Sequence, residues 1–221
     1  MNYSFKMKKI ALVIVTLLLF SCNKREVLLP KIDRTIIEKV DDLSPIYIFF
    51  KVDGKDTIAD LNRKNAISST NFIFNIDKRL PLKLVLPEVI KVQIKKASSM
   101  HSNENSENYY SYSDNAKKSL AFVPFTKVNY KLEKPNYGVQ IYFKKDSRIF
   151  VFDFYSKEKK EVKKEDLFKY LISIPCDKPN KYVFCHDIKS NYEKFIKNNV
   201  FIAELKLQIP TKNLTNEEFV F

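Results

Sequence analysis

Ile46-Tyr47-Ile48-Phe49-Phe50-Lys51-Val52-Asp53-Gly54-Lys55 is a β-rich run that breaks at Asp-Gly, and Lys55-Asp56-Thr57-Ile58-Ala59 resumes it. Asp-Gly between two such runs is the strongest short hairpin signal, because both residues accept the left-handed backbone of a tight turn. Asp53, Asp56 and Asp60 lack the spacing and closing Glu of a calcium loop, so turn chemistry accounts for them. Val139-Gln140-Ile141-Tyr142-Phe143-Lys144-Lys145-Asp146-Ser147-Arg148 repeats the pattern 93 residues later, with Ile, Phe, Lys and Asp in step. Phe72-Ile73-Phe74-Asn75-Ile76-Asp77 matches Tyr182-Val183-Phe184-Cys185-His186-Asp187 at an offset of 110, which assigns 17 extra residues to Lys159–Pro175. The reading is an internal duplication; the alternative is chance similarity in a chain rich in Phe, Ile and Lys.

The second copy fixes the order of elements. Glu165 and Asp166 suit the first turn of a helix, where the backbone dipole favours negative charge. Leu167, Phe168, Leu171 and Ile172 then form one apolar face, and Pro175 stops it. Tyr182–Asp187 reads as a strand. Ser190-Asn191-Tyr192-Glu193 matches a capping box for a short helix with Tyr192, Phe195 and Ile196 inward, ending at Asn198-Asn199. Ile202–Ile209 would be the last strand. The order ββαβαβ predicts an α+β fold with helices on one side of a sheet. It resembles the periplasmic domain of the TolR and ExbD proteins, accessory subunits of proton-driven envelope motors, with Val183-Phe184-Cys185-His186-Asp187 and Tyr192 echoing that family's strand and helix start. The resemblance covers about 70 residues and implies a scaffold only. The family's functional Asp lies in an amino-terminal membrane helix, and Ile10–Phe20 contains no acid.

In the first copy, Asn71–Asp77 is the matching strand and Leu80–Ala97 reads two ways. Pro87 at a first helical position, with Val89, Ile90 and Ile94 behind it, favours a helix. Alternation at Leu82, Leu84, Leu86 and at Ile90, Val92, Ile94 favours strands, which would make the fold an all-β sandwich. The helix is preferred. Two ββ(α)βαβ-like units then occupy residues 45–134 and 135–221. Residues 98–119 form a long polar loop whose Tyr109, Tyr110 and Tyr112 either stack on sugar rings or ride on a solvated excursion or edge strand. Residues 22–44 read as a tether with a short helix over Ile32–Val40, where Ile32, Ile36, Ile37 and Val40 share a face. Asn213–Phe221 reads as a tail.

The amino terminus speaks to location. Lys6, Lys8 and Lys9 precede the apolar run Ile10–Phe20, which would reach only about 16 Å as a helix, too short for a hydrocarbon core of about 30 Å. This is a secretory leader over residues 1–21. Leu19-Phe20-Ser21-Cys22 resembles the lipobox of bacterial lipoproteins, with Phe20 where that family has a small residue. The resemblance implies cleavage before Cys22 and attachment of lipid, palmitate included, to it. Two or three acyl chains anchor a protein stably without a membrane-spanning helix. Asn23-Lys24-Arg25-Glu26 lacks an acidic export cluster, which favours an outer-membrane anchor with the domain facing the periplasm.

The formal charge is +13 over 221 residues, and loss of the leader's three lysines leaves about +10. Such a domain suits phospholipid headgroups, lipopolysaccharide phosphates, acidic wall polymers or an acidic envelope protein. The exported location and scattered lysines argue against nucleic acid. With only Gly54 and Gly138 in the chain, phosphate-cradling loops, dinucleotide fingerprints and nucleophile elbows are excluded. Cys176 and Cys185 are candidates for a disulfide in an oxidising compartment. His101 and His186 are the only histidines, and no metal-ligand spacing surrounds them, so neither metal nor cofactor is expected. The expectation is a non-catalytic binding or structural protein. The alternative is a wall- or glycan-acting hydrolase using Asp77, His186 and Asp187.

Overall fold

The computed structural model describes residues 25–100, 103–174 and 181–221. After β1 (Lys31–Ile32), the quoted run becomes β2 (Leu43–Asp53), which turns at Gly54, φ +61°, into antiparallel β3 (Asp56–Asn62). β4 (Asn71–Ile76) lies parallel to β2, α1 (Leu82–Ala97) crosses over, and β5 (Asn108–Asp114) returns parallel to β4. β6 (Ser119–Pro124) pairs antiparallel with β5. The sequence then passes through β7 (Asn129–Lys131) to the hairpin of β8 (Val139–Phe143) and β9 (Ile149–Asp153), which β10 (Lys159–Val162) extends. α2 (Leu167–Ser173), β11 (Tyr182–His186), α3 (Tyr192–Lys206) and β12 (Leu214–Val220) complete the order.

The expected α+β class is what the residues build, with two mixed sheets and crossover helices. The second sheet runs β10-β9-β8-β11-β12-β7, and the first runs β3-β2-β4-β5 with β1 and β6 both on β5. Strands β3-β2-β4-β5 and β9-β8-β11-β12 have the same neighbours in the same directions, with α1 and α3 at equivalent crossovers. The halves therefore match in topology. β10 and α2 lie within the stretch that the offset had set aside, whose last residue, Pro175, is outside the described residues.

α3 lies between the sheets, α1 packs against the first and α2 against the second. Phe195 of α3 packs 5.9 Å from Tyr110 in the first sheet and 4.9 Å from His186 in the second, ring to ring. On α1, Leu82, Val85, Leu86, Val89 and Val92 are buried, a three-to-four-residue spacing that settles Leu80–Ala97 as helix. Pro87 sits inside this helix rather than at its start, which Leu82 supplies. Around Tyr110, the rings of Phe74, Phe125, Tyr192 and Phe195 join one shared core, each contributing roughly 1.5–3 kcal/mol by burial.

Several expectations are corrected. Residues 25–44 are not a tether. Ile32 and Ile36 pack into the main core, whereas Ile37 and Val40 pack on the outer face of the first sheet against Ile73, Tyr109 and Phe122. An extended segment can divide its apolar groups in this way; the helix expected over Ile32–Val40 cannot. The polar loop 98–119 holds β5, and Tyr109, Tyr110 and Tyr112 are buried in it, so none offers a face to a sugar. β7 belongs to the second sheet, which places residues 129–131 across the expected boundary at 134. α3 continues through Asn198-Asn199, because the Asn199 amide donates to the Phe195 carbonyl 2.9 Å away and Val200, Ile202 and Leu205 keep the helical spacing inward. Ile202–Ile209 is consequently no strand. That role falls to Leu214–Val220, an inner strand between β11 and β7 rather than a tail.

On the outer face of the second sheet, the segment after β7 crosses Val183, Cys185 and Phe219, with Tyr137 packed on them. Gly138 ends that crossing at φ +70°, and a Cβ there would meet the Lys181 carbonyl oxygen at 2.4 Å. At Gly54, φ +61°, nothing lies within 4 Å of a Cβ. Gly138→Ala should destabilise the protein by about 2 kcal/mol or more and Gly54→Ala by about 1 kcal/mol, read from urea midpoints.

Candidate functional site

Asp77 and Asp187 come directly after β4 and β11, and both aspartates shape the turn that follows. Asp77 Oδ1 accepts from the Arg79 backbone N–H at 3.0 Å, and Asp187 Oδ1 accepts from that of Lys189 at 2.9 Å. The second oxygens accept from the backbone N–H of Leu28 at 3.3 Å and of Lys145 at 3.2 Å. These turns bring the starts of α1 and α3 side by side. The Leu82 N–H donates to the Ser190 carbonyl and the Tyr192 N–H to the Leu80 carbonyl, each at 2.9 Å, closing a reciprocal bridge between Pro81 and Asn191. The Asn191 side chain caps α3 by accepting from the Lys194 N–H at 3.0 Å, one residue later than the expected Ser190.

A cavity of about 300 Å³ opens over this bridge, lined by Arg79, Lys145, Lys189, Lys194, Ser190 and Asn191, with no carboxylate in its wall. Arg79 is partly neutralised. Its Nε and Nη2 donate to Asp77 at 2.8 and 2.7 Å, and its guanidinium lies 4.5 Å from the Phe50 ring centre. Burial pushes the Asp77 carboxyl up in pKa, but the hydrogen bonds from Arg79 and from the backbone of Arg79 and Leu28 outweigh it and hold the group below the ordinary range. The Lys194 ammonium donates to the Lys145 carbonyl. Lys145 and Lys189 are exposed and enter no ion pair among the described residues. Lys145 and Lys189 leave the groove with positive charge that no carboxylate of its wall offsets, which suits it to holding an anion.

His186 does not share this site. Adjacent residues of a strand point to opposite faces, so His186 turns into the core while Asp187 begins the turn. Its ring stacks on Phe143 at 5.7 Å and meets Phe195 edge-on. Beside it stands Glu218, a residue the sequence reading did not single out; Nε2 and Oε2 are 3.4 Å apart without the alignment of a hydrogen bond. Lys206 donates to Glu218 Oε1 at 3.0 Å. Desolvation pushes the Glu218 carboxyl up in pKa, and Lys206 together with His186 reverses this and brings it down to about 2. Asp77, His186 and Asp187 therefore do not converge as a catalytic set. The Cys185 thiol is free and buried, and burial pushes its pKa up. Its expected disulfide partner, Cys176, lies outside the described residues, as do Cys22 and His101.

The groove lysines had no signature of their own in a chain with 39 basic residues. What marks them is the shared spacing from the strand-ending aspartates, Asp77 to Arg79 and Asp187 to Lys189. Comparison with protein-family models, curated proteins and solved structures finds no match.

Because the Glu218 pKa falls from 4.5 to about 2 on folding, its stabilisation is fully present above pH 4.5 and is lost as the pH drops towards 2. The contribution is on the order of 3 kcal/mol. Urea unfolding across this range should show the wild-type advantage over Glu218→Gln shrinking as the solution is acidified.

Proposed function

We propose that this protein is a lipid-anchored lipoprotein of the bacterial envelope, held at the outer membrane facing the periplasm, whose basic domain binds an anionic envelope component without catalysis. The observation that carries the binding role is the groove, where Arg79, Lys145, Lys189 and Lys194 from the two halves line one wall free of carboxylates. The anchor rests on Leu19-Phe20-Ser21-Cys22 and the basic apolar leader before it. Leu28 supports a link between the two. Its carbonyl accepts from the Lys78 N–H at 2.8 Å, and its own N–H bonds Asp77, beside Arg79. Leu28 lies six positions after Cys22, and a fully extended chain spans about 20 Å at most over six positions. An acylated Cys22 would hold the groove within that distance of the bilayer, so phosphate-bearing headgroups are the favoured anion.

Labelled palmitate should enter the wild-type protein in cells and be absent from Cys22→Ala. Vesicles of phosphatidylglycerol should sediment the unlipidated mature chain, whereas phosphatidylcholine should not. Surface attraction is about 1 kcal/mol per basic side chain, so the double variant Lys145→Glu, Lys189→Glu should bind at least about tenfold more weakly. Unchanged sedimentation of that variant would remove the groove from the interaction.

A further inference from the structure

Lys96, in the last turn of α1, is 6% exposed, and its ammonium faces neutral acceptors. Nζ donates to the Glu107 carbonyl at 2.9 Å and to Asn108 Oδ1 at 3.2 Å, and lies 4.4 Å from the Phe72 ring centre. No carboxylate among the described residues comes within ion-pair distance of it. The carboxylate of Glu107, whose backbone carbonyl Lys96 bonds, accepts instead from the Tyr109 hydroxyl at 2.5 Å. A buried ammonium without a counter-ion is costly, and buried charges are ordinarily paired. The negative end of α1 and the Phe72 ring offset part of that cost. Desolvation accordingly lowers the Lys96 pKa to about 8, with the Glu107 charge opposing it.

The same side chain lines a cavity of about 630 Å³, a volume typical of small-molecule sites. Ile90, Ile94 and Val128 supply apolar wall, and Gln93 and Thr126 supply polar wall. The other two charged side chains of the wall, Glu104 and Lys127, are exposed and opposite in sign. Ile94 is 63% exposed, leaving a hydrophobic lip open to solvent.

We infer that this cavity binds a small amphipathic carboxylate, its anionic head paired with Lys96 and its hydrocarbon chain against Ile90, Ile94 and Val128. The ligand supplies the counter-ion that the fold withholds. The pairing requires the protonated amine, so affinity falls as the pH rises through the Lys96 pKa. The groove at the helix starts is a separate site, and neither depends on the other.

Octanoate and its neutral counterpart octanol are the probes, titrated calorimetrically into the mature chain, residues 22–221. At about pH 7 the wild type should prefer octanoate by about tenfold or more, and Lys96→Met, which keeps the aliphatic stem, should lose or invert that preference. Octanoate affinity of the wild type should also fall towards about pH 10 while octanol affinity stays level. The inference is overturned if the wild type fails to bind octanoate, binds both probes equally, or shows no such pH difference. It is equally overturned if Lys96→Met retains the preference. Should that variant not fold, the wild-type probe pair and its pH dependence decide alone.

Discussion

The two hydrogen bonds exchanged between Leu80–Leu82 and Ser190–Tyr192 are the contact on which the arrangement turns. Each strand-ending aspartate directs its chain into a turn, and each turn delivers a helix start to the other half. Backbone groups at a helix start lack partners within the helix, so satisfying them across the junction fixes where both helices begin. With their origins joined, α1 and the first turns of α3 bury their apolar stripes in one aromatic core, while Ile202 and Leu205 further along α3 enter the core of the second sheet.

The strands read directly from sequence were those whose signals are local. Asp-Gly marks the β2–β3 turn, and the matched runs ending in Asp77 and Asp187 became inner parallel strands. α1 was preferred on Pro87, Val89, Ile90 and Ile94, yet the face it buries is Leu82, Val85, Leu86, Val89 and Val92, and Pro87 lies within the helix, so the element was legible and its inward side was not. The errors share a different cause. Asn198-Asn199 looks like a helix end, yet Asn199 bonds back to Phe195 and the helix continues, because tertiary burial of Val200, Ile202 and Leu205 outweighs weak propensity. Tyr109–Tyr112 and Glu217–Glu218 looked polar because their partners are distant in sequence: Tyr130 for Tyr110, Lys206 for Glu218, Tyr137 for Glu217. The groove was illegible for the same reason: Lys145 and Lys194 are 49 residues apart in sequence, and Arg79 joins them only where the two halves meet.

Charge is sorted by depth. Glu218 is buried with Lys206 against it and His186 alongside, a group whose loss of one member would strand another. At the surface, Lys145 and Lys189 stand over a wall without acids, where solvent screens them and an incoming anion can still gain. Lys96 stands between these regimes, with a buried side chain that enters no ion pair among the described residues.

Among the described strands β7, residues 129–131, pairs with β12 alone, at residues 217–219. The β8–β9 hairpin, α2 and α3 all lie in the stretch of chain between them. Closing so long a loop is entropically expensive and slows assembly. Until β12 docks, β7 has no strand beside it and β11 is paired on its β8 side alone among the described strands.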